Sequence, residues 1–168
     1  LQEIVSAHLG DEVMREALLR LDPAVPVYAV DQQVLNAIAG FNIHRGILAQ
    51  GRRPAPPDLD RLLATARSLV ILEDLSNHDN IGGIFRATAA LAGLPRGDGG
   101  SAVLLSPRCA DPLYRKAIRV SMGTVLRLPF AMIEPWPGVL HRVKAAGFTL
   151  LALTPAPDAL TIEGLAKV

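Results

Sequence analysis

The chain has 168 residues, half of them hydrophobic, and a formal net charge of +1 at pH 7. The hydrophobic content excludes a disordered chain, and the length is sufficient for one domain or two small ones. Although 14 of the 17 basic residues are arginine, the near-neutral total lacks the strongly basic character of a general nucleic-acid-binding protein. Composition alone therefore does not point to RNA.

The cysteines and histidines limit which disulfides and metal sites the chain can form. Cys109 is the single cysteine, so an intrachain disulfide is excluded and no cysteine-based metal site can form within one chain. The four histidines are widely spaced and do not form a metal-binding pattern, which predicts that no metal is bound. No apolar run approaches the length needed to cross a bilayer. We therefore expect a cytoplasmic protein that does not contact membranes.

The first 50 residues have the pattern of a small α/β unit. Apolar residues in the segment 1–20 recur at helical spacing, and Gly10 either lies within this helix or divides it in two. Asp31 is expected to cap a helix that ends at Gly40. The further predicted elements are a strand at 25–30, a helix at 32–39 and a short strand at 47–49.

A Pro-rich, basic segment at 51–60 predicts an extended linker and marks a domain boundary. Beyond it, helical and strand patterns alternate, which is typical of a parallel sheet with crossover helices. The predicted helices lie at 59–66, 81–93, 112–120 and 139–146. The predicted strands lie at 69–72, 102–105, 125–128 and 148–153.

The segment 68–93 is the centre of this second domain. Its aliphatic run at 69–72 predicts a strand buried on both faces, followed by a polar loop and a helix capped by Asp79 or Asn80. In open α/β sheets, ligands bind at the carboxyl ends of the strands. This loop and the first helical turn are therefore the predicted functional edge.

Arg86 is the only charged residue between Ile81 and Leu94, so we expect it to need a partner. Gly82 lies one helical turn earlier on the same face and leaves room for a ligand or for the arginine itself. The alternative is a structural ion pair between Arg86 and Glu73 or Asp74.

After the strand at 69–72, Asn80, Gly82 and Arg86 have the spacing Asn-x-Gly-x-x-x-Arg, and the segments 40–49 and 111–129 lie before and after it. In this order, the three segments resemble the SpoU/TrmH family of RNA 2′-O-ribose methyltransferases, whose first motif is Asn-x-Gly-x-x-x-Arg after a strand. The segment 111–129 is similar to the region after that motif. The segment 40–49 is similar to the end of the family's small substrate-binding domain.

The resemblance implies a domain order: a partial RNA substrate-binding domain at 1–50, a linker at 51–60, and the N-terminal part of a parallel-sheet SpoU-like methyltransferase domain at 61–168. The family transfers a methyl group from S-adenosylmethionine to a ribose 2′-hydroxyl of ribosomal or transfer RNA, and its members pair as homodimers. Its cofactor motifs form a C-terminal knot. Nothing between residues 149 and 168 resembles those motifs, so we expect this chain alone to be inactive.

The resemblance also implies site residues. Arg86 would be catalytic, because a guanidinium can hold a substrate phosphate or stabilise developing charge. Asn80 would hold the start of the helix or contact the ribose. The candidate RNA-binding residues are His44, Arg45, Arg52, Arg53, Arg108, Arg115 and Arg119. Cofactor-binding residues are not identified. The alternative function is a non-catalytic RNA-binding or assembly module.

Overall fold

The computed structural model describes residues 3–6, 12–44, 46–95, 99–161 and 164. The chain forms two compact units, Leu1–Ala55 and Pro56–Val168. The division between them falls inside the Pro-rich segment 51–60. None of the described helices is long and apolar enough to cross a membrane.

The first unit contains a mixed three-stranded sheet in the order β2-β1-β3. Strand β1 pairs parallel to β2 and antiparallel to β3. The elements are β1 (Glu3–Ser6), α1 (Glu12–Leu19), β2 (Val27–Ala29), α2 (Gln32–Ala39) and β3 (Ile47–Gln50). The predicted helix 32–39 is confirmed, with Asp31 before it and Gly40 after it at φ 75°. The predicted strands at 25–30 and 47–49 are also confirmed, with small shifts of their ends.

The prediction of helix across residues 1–20 is wrong at its start. Residues 3–6 form β1, and only Glu12–Leu19 is helical. The strand is stabilised by two partners that are distant in sequence, so backbone pairing overrides the local helical spacing of apolar residues. Ile4 is buried in this sheet. Gly10, the expected helix break, lies outside the described residues.

The second unit contains a parallel sheet in the order β4-β5-β6, which confirms the α/β fold class. Its elements are α3 (Leu59–Thr65), β4 (Ala66–Leu72), α4 (His78–Leu91), β5 (Gly100–Leu105), α5 (Arg115–Val120), a 3-10 helix (Thr124–Leu126), β6 (Phe130–Met132) and α6 (Leu140–Ala145).

Two apolar layers cover the two faces of this sheet. Val103 and Leu105 of the central strand face a cluster with residues of α4 and α5. Ala102 and Leu104 face the opposite cluster, which contains residues of α3 and α6. This alternation is the period of two expected for a strand buried on both faces. The sequence predicted burial on both faces for the strand at 69–72. This strand, β4, is instead a half-buried edge strand, and the fully buried strand is β5.

The predicted strand at 125–128 is wrong. Gly123 adopts φ 77° and precedes the 3-10 helix Thr124–Leu126. Val125 and Leu128 are both buried, and a spacing of three residues puts side chains on one side of a helical turn rather than of a strand. The strand of this region is Phe130–Met132 instead.

Two further elements differ from expectation. The predicted helix 112–120 begins only at Arg115, and Asp111 lies four residues before it. Its Oδ1 accepts from Leu113 N at 2.9 Å within the preceding turn. No strand is described between residues 148 and 161, where one was predicted at 148–153. Leu151 and Leu153 are exposed there. An apolar run forms a strand only where a neighbouring strand pairs with its backbone groups.

Candidate functional site at the carboxyl edge of the sheet

The loops that follow the three parallel strands meet at one edge of the sheet. A cavity of about 690 Å³ lies there, which we call the carboxyl-edge groove. Its lining residues are Asp74, Pro107, Arg108, Glu134, Pro135 and Trp136. This is the position at which open α/β sheets bind ligands. The sequence predicted this edge but not the pairs of side chains that shape it.

A hydrogen-bond network joins the loop after β4 to the loop after β5. Ser106 is fully buried, and its hydroxyl donates to Asp74 Oδ1 at 2.8 Å while accepting from Asp74 N at 2.8 Å. Arg108 donates to the other carboxylate oxygen of Asp74. Asp74 adopts φ 51°, a left-handed conformation that aspartate and asparagine tolerate better than most residues. The network holds this strained turn in one conformation.

The same network shifts the acidity of Asp74. The hydrogen bond from Arg108, and then the one from Ser106, hold the pKa of the Asp74 carboxyl below its usual value. A carboxylate with a lowered pKa stabilises the fold above its unfolded-state pKa, and this stabilisation is lost as the pH falls through the folded-state pKa. The contribution is therefore present at neutral pH and disappears in acid.

We expect Asp74→Asn to lower the melting temperature at pH 7, because the neutral amide loses the charge-assisted hydrogen bond from Arg108. The difference from the wild type should shrink as the pH falls below about 4, where unfolded aspartate takes up its proton. Thermal melts across pH 2.5–7 check this, with Asp158→Asn as a control carboxylate outside the network. A difference that is constant across this range would contradict the assigned role of the carboxylate.

Trp136 is held at the groove by a second contact between strand ends. Its indole Nε1 donates to Glu73 Oε1 at 2.8 Å, which joins the loop after β6 to the loop after β4. Glu73 and Trp136 are 63 residues apart. The sequence placed Glu73 at the functional edge, but it did not identify Trp136 or the contact between the two. Two features of the sequence could have identified this pair. Glu73 directly follows β4, and Trp136 is the only tryptophan in the chain.

Helix α4 begins earlier than predicted. Its N-cap is Asn77, rather than Asp79 or Asn80. The Asn77 side-chain oxygen accepts from Asp79 N at 2.7 Å and from Asn80 N at 3.3 Å, which satisfies two backbone donors of the first turn. The Asn80 side chain is therefore not needed as the cap, and it is exposed on the first turn of α4.

Gly82 does not leave room for a ligand, contrary to the sequence interpretation. A Cβ at this position would lie 2.7 Å from Ala117 O, 2.8 Å from Val120 Cβ and 3.1 Å from Ser121 N. Helix α5 fills the space that the missing side chain provides. The glycine thus allows the close contact between α4 and α5.

Arg86 is exposed, and the described residues offer it no hydrogen bond or ion pair. The alternative of a structural ion pair with Glu73 or Asp74 is not found among the described residues, where those carboxylates accept from Trp136 and Arg108 respectively. The expectation that Arg86 needs a partner stays a prediction. The guanidinium is accessible to a ligand.

Asn80 and Arg86 do not share a face of α4. Six residues of α-helix separate them by about 9 Å along the axis and about 120° around it. Asp79 lies seven residues before Arg86, on nearly the same face of α4. It forms an ion pair with Lys116 of α5 at 2.7 Å. The two motif residues are therefore presented in different directions.

The predicted RNA-binding arginines of α5 lie apart from Arg86. Ala117 and Val120 contact α4 near Gly82, and the helical period puts Arg115 and Arg119 on the opposite side of α5. Arg119 lies in the last turn, where a positive charge is favoured by the helix dipole. Arg115 has an interaction partner in the structure.

The remaining predicted RNA-binding residues belong to the first unit. His44, Arg52 and Arg53 are exposed, and Arg53 has an interaction partner. Arg45 lies outside the described residues. Among the described residues there is no group of three or more His, Cys, Asp or Glu side chains placed to hold a metal ion.

Comparison with known proteins gives the family. The fold and groove define a parallel α/β domain with a candidate site at its strand ends. Residues 67–166 of this domain match the model of the SpoU rRNA Methylase family. The chain therefore belongs to that family, as the motif around Asn80 and Arg86 predicted.

Curated relatives agree with this assignment. The chain is 40% identical over 144 residues to uncharacterized tRNA/rRNA methyltransferases of Mycobacterium bovis and Mycobacterium tuberculosis. These alignments cover 85% of this chain and 48% of each relative. The chain thus spans about half the length of the curated relatives it matches.

Solved structures share the fold at low sequence identity. The SpoU methyltransferase AviRb from Streptomyces viridochromogenes, in complex with AdoMet, superposes with a TM-score of 0.66 at 22% identity, covering 86% of this chain and 51% of AviRb. An RNA 2′-O ribose methyltransferase superposes with a TM-score of 0.62 at 22% identity, covering 95% of this chain and 58% of that protein. These likenesses support the fold assignment.

Proposed function

We propose that this chain is the substrate-side part of an RNA 2′-O-methyltransferase that acts on ribosomal or transfer RNA. The observation that carries the proposal is the exposed Arg86 on α4, in the family motif and without a partner among the described residues. Arg86 is the only charged residue between Ile81 and the end of α4 at Leu91, and an arginine available to solvent is suited to an anionic ligand. The relatives named as tRNA/rRNA methyltransferases support the reaction class.

Arg86 would act on the ribose and its phosphate. The 2′-hydroxyl must lose its proton as its oxygen is methylated, and a guanidinium, which is already protonated at neutral pH, does not accept a proton. Arg86 would instead hold the neighbouring phosphate, so that a phosphate oxygen receives the proton and the developing charge is stabilised. Asn80, exposed about 1.7 turns earlier, would contact the ribose from a different direction.

The other cations would hold RNA phosphates outside this centre. Arg115 and Arg119 point away from α4, so they would bind a different phosphate from the one that Arg86 holds. His44, Arg45, Arg52 and Arg53 would add contacts from the first unit. Arg108 is already anchored by Asp74. Pairing of two copies of the whole protein stays a prediction.

S-adenosylmethionine, when bound, supplies the methyl group in this family. A cofactor site requires a concave pocket with a few placed polar groups. The described residues of 148–161 form neither helix nor strand, and Leu151, Leu153 and Leu160 are exposed there. At the position where the family motifs are missing, these leucines are therefore open to solvent and not enclosed in a pocket.

We therefore expect the 168-residue chain alone not to bind S-adenosylmethionine with useful affinity. Isothermal titration of the purified chain measures this directly, and the expected result is no heat of binding at micromolar cofactor. S-adenosylhomocysteine, which lacks the transferable methyl group and its positive charge, is the matched control ligand. Stoichiometric micromolar binding of either compound would show that the residues present already form the pocket.

The reaction itself is tested with the whole methyltransferase. Incubation with S-adenosylmethionine and total RNA should produce ribose-methylated nucleotides that mass spectrometry detects after digestion. Methylation confined to bases or to protein would overturn the proposal. RNA binding without any methyl transfer would favour the second candidate, a non-catalytic RNA-binding or assembly module.

A further inference from the structure

We propose that the carboxyl-edge groove binds a guanine base of the RNA substrate. This inference deepens the proposed function and rests on it for the identity of the ligand as RNA. Its volume of about 690 Å³ lies within the range of roughly 300–1,000 Å³ that is typical of small-ligand sites. The groove offers an aromatic ring, hydrogen-bond donors and a hydrogen-bond acceptor together.

Trp136 provides the stacking surface. The hydrogen bond from its Nε1 to Glu73 uses the only polar atom of the indole and holds the ring in place. The half-buried side chain lines the groove, with Pro107 and Pro135 beside it. RNA-binding proteins commonly stack unpaired bases on such fixed aromatic rings.

Arg108 provides the donors. One of its terminal nitrogens donates to Asp74, which anchors the guanidinium, while the side chain is 82% exposed. The remaining N–H groups can pair with a ligand. Arginine donating to O6 and N7 of guanine is the commonest base-specific contact of this side chain.

Glu134 provides the acceptor. Its exposed carboxylate lines the same groove and has no hydrogen bond or ion pair to the part of the chain that the structure describes. Guanine carries acceptors on its O6 and N7 edge and donors at N1 and N2, so it complements Arg108 on one side and Glu134 on the other. Adenine has no N1 donor, and the pyrimidines present a smaller edge.

The charge of the groove disfavours a phosphate as the primary ligand. Asp74 and Glu134 line it, and Glu73 holds Trp136 beside it, whereas Arg108 is the only cation among the lining residues. Three carboxylates around one guanidinium repel an anion more than they attract it. Arg108 was predicted from the sequence to hold RNA phosphate, and we assign it instead to the edge of a base.

The single tryptophan makes the groove directly observable. We expect guanosine 5′-monophosphate to quench the fluorescence of the 168-residue chain saturably, at a concentration about tenfold lower than the adenosine, cytidine and uridine monophosphates require. All four probes carry the same phosphate, so the difference reports the base. Glu134→Gln should weaken guanosine monophosphate about tenfold and leave the other three unchanged.

Glu12→Gln is the matched control, since it makes the same chemical change on the exposed surface of α1, and we expect it to bind as the wild type does. Circular dichroism checks that each variant is folded. Equal quenching by all four nucleotides, or a Glu134→Gln variant with unchanged selectivity, would overturn the inference. Preference for the adenosine nucleotide would overturn it too and assign the groove to an adenine ligand.

The titration contains neither methyl donor nor RNA, so its outcome is separate from that of the methylation test. Absence of methyl transfer would leave a guanine-selective groove standing. Methyl transfer with no nucleotide selectivity at Trp136 would overturn the groove assignment alone.

Discussion

Replacing Arg86 with lysine is expected to lower the turnover of the whole methyltransferase on the order of 100-fold, the usual effect of removing one well-placed electrostatic group. Lysine keeps the positive charge but loses the planar fork that binds two phosphate oxygens together. Arg86 is exposed, and the described residues give it no partner. The free energy of unfolding should therefore change by no more than about 0.5 kcal/mol.

Turnover and thermal melting must be measured on the same preparations, because the ratio of the two effects carries the conclusion. Arg127→Lys is a suitable control, since Arg127 is an exposed arginine of the same unit outside the motif. It should retain wild-type turnover. Wild-type turnover in Arg86→Lys would refute the catalytic role, and a large loss of melting temperature would show that Arg86 is structural.

Replacing Gly82 with alanine is expected to destabilise the second unit, because inserting a methyl group into a well-packed contact typically costs about 1–3 kcal/mol. The new Cβ would lie 2.7 Å from a backbone oxygen of α5, and backbone atoms cannot move aside as a flexible side chain can. Alanine favours the helical state by roughly 1 kcal/mol over glycine. The steric cost should exceed this gain.

Gly83 supplies the control within the same helix. A Cβ there would meet nothing within 4 Å, so Gly83→Ala should stabilise α4 by up to about 1 kcal/mol. Chemical denaturation followed by circular dichroism compares the two variants. Equal stability of Gly82→Ala and Gly83→Ala would mean that α4 and α5 do not pack at Gly82.

Strands β4 and β5 of the second unit were predictable because their signals are local, whereas the third strand was expected at 125–128 and lies at Phe130–Met132. Aliphatic runs alternate with helical segments, and Gly147 ends the last helix in a left-handed conformation, with φ 93°. The strand β1 was not predictable in this way. Its four residues become a strand only through pairing with β2 and β3, and local spacing of apolar residues favours a helix there.

The site was predictable only as a region. Residues that follow parallel strands must lie at one edge, so the sequence could place residues 73–80 and Arg108 there. It could not show that Arg108 pairs with Asp74, 34 residues away, or that Trp136 pairs with Glu73, 63 residues away. Both contacts depend on the paths that the loops after the strands take. Likewise, glycine spacing identified the face of Gly82 but not the helix that covers it.

The strand order β4-β5-β6 follows the order of the chain, and this has a consequence for folding during synthesis. Each strand pairs with the next one made, so β4, α4 and β5 can form a βαβ unit before β6 has left the ribosome. Paired residues of β4 and β5 are about 33 positions apart, as for Leu69 and Ala102, and closing this loop costs less entropy than closing a loop across the whole unit. We expect the second unit to grow from β4 toward β6, with the central strand exposing one unpaired edge to chaperones until β6 arrives.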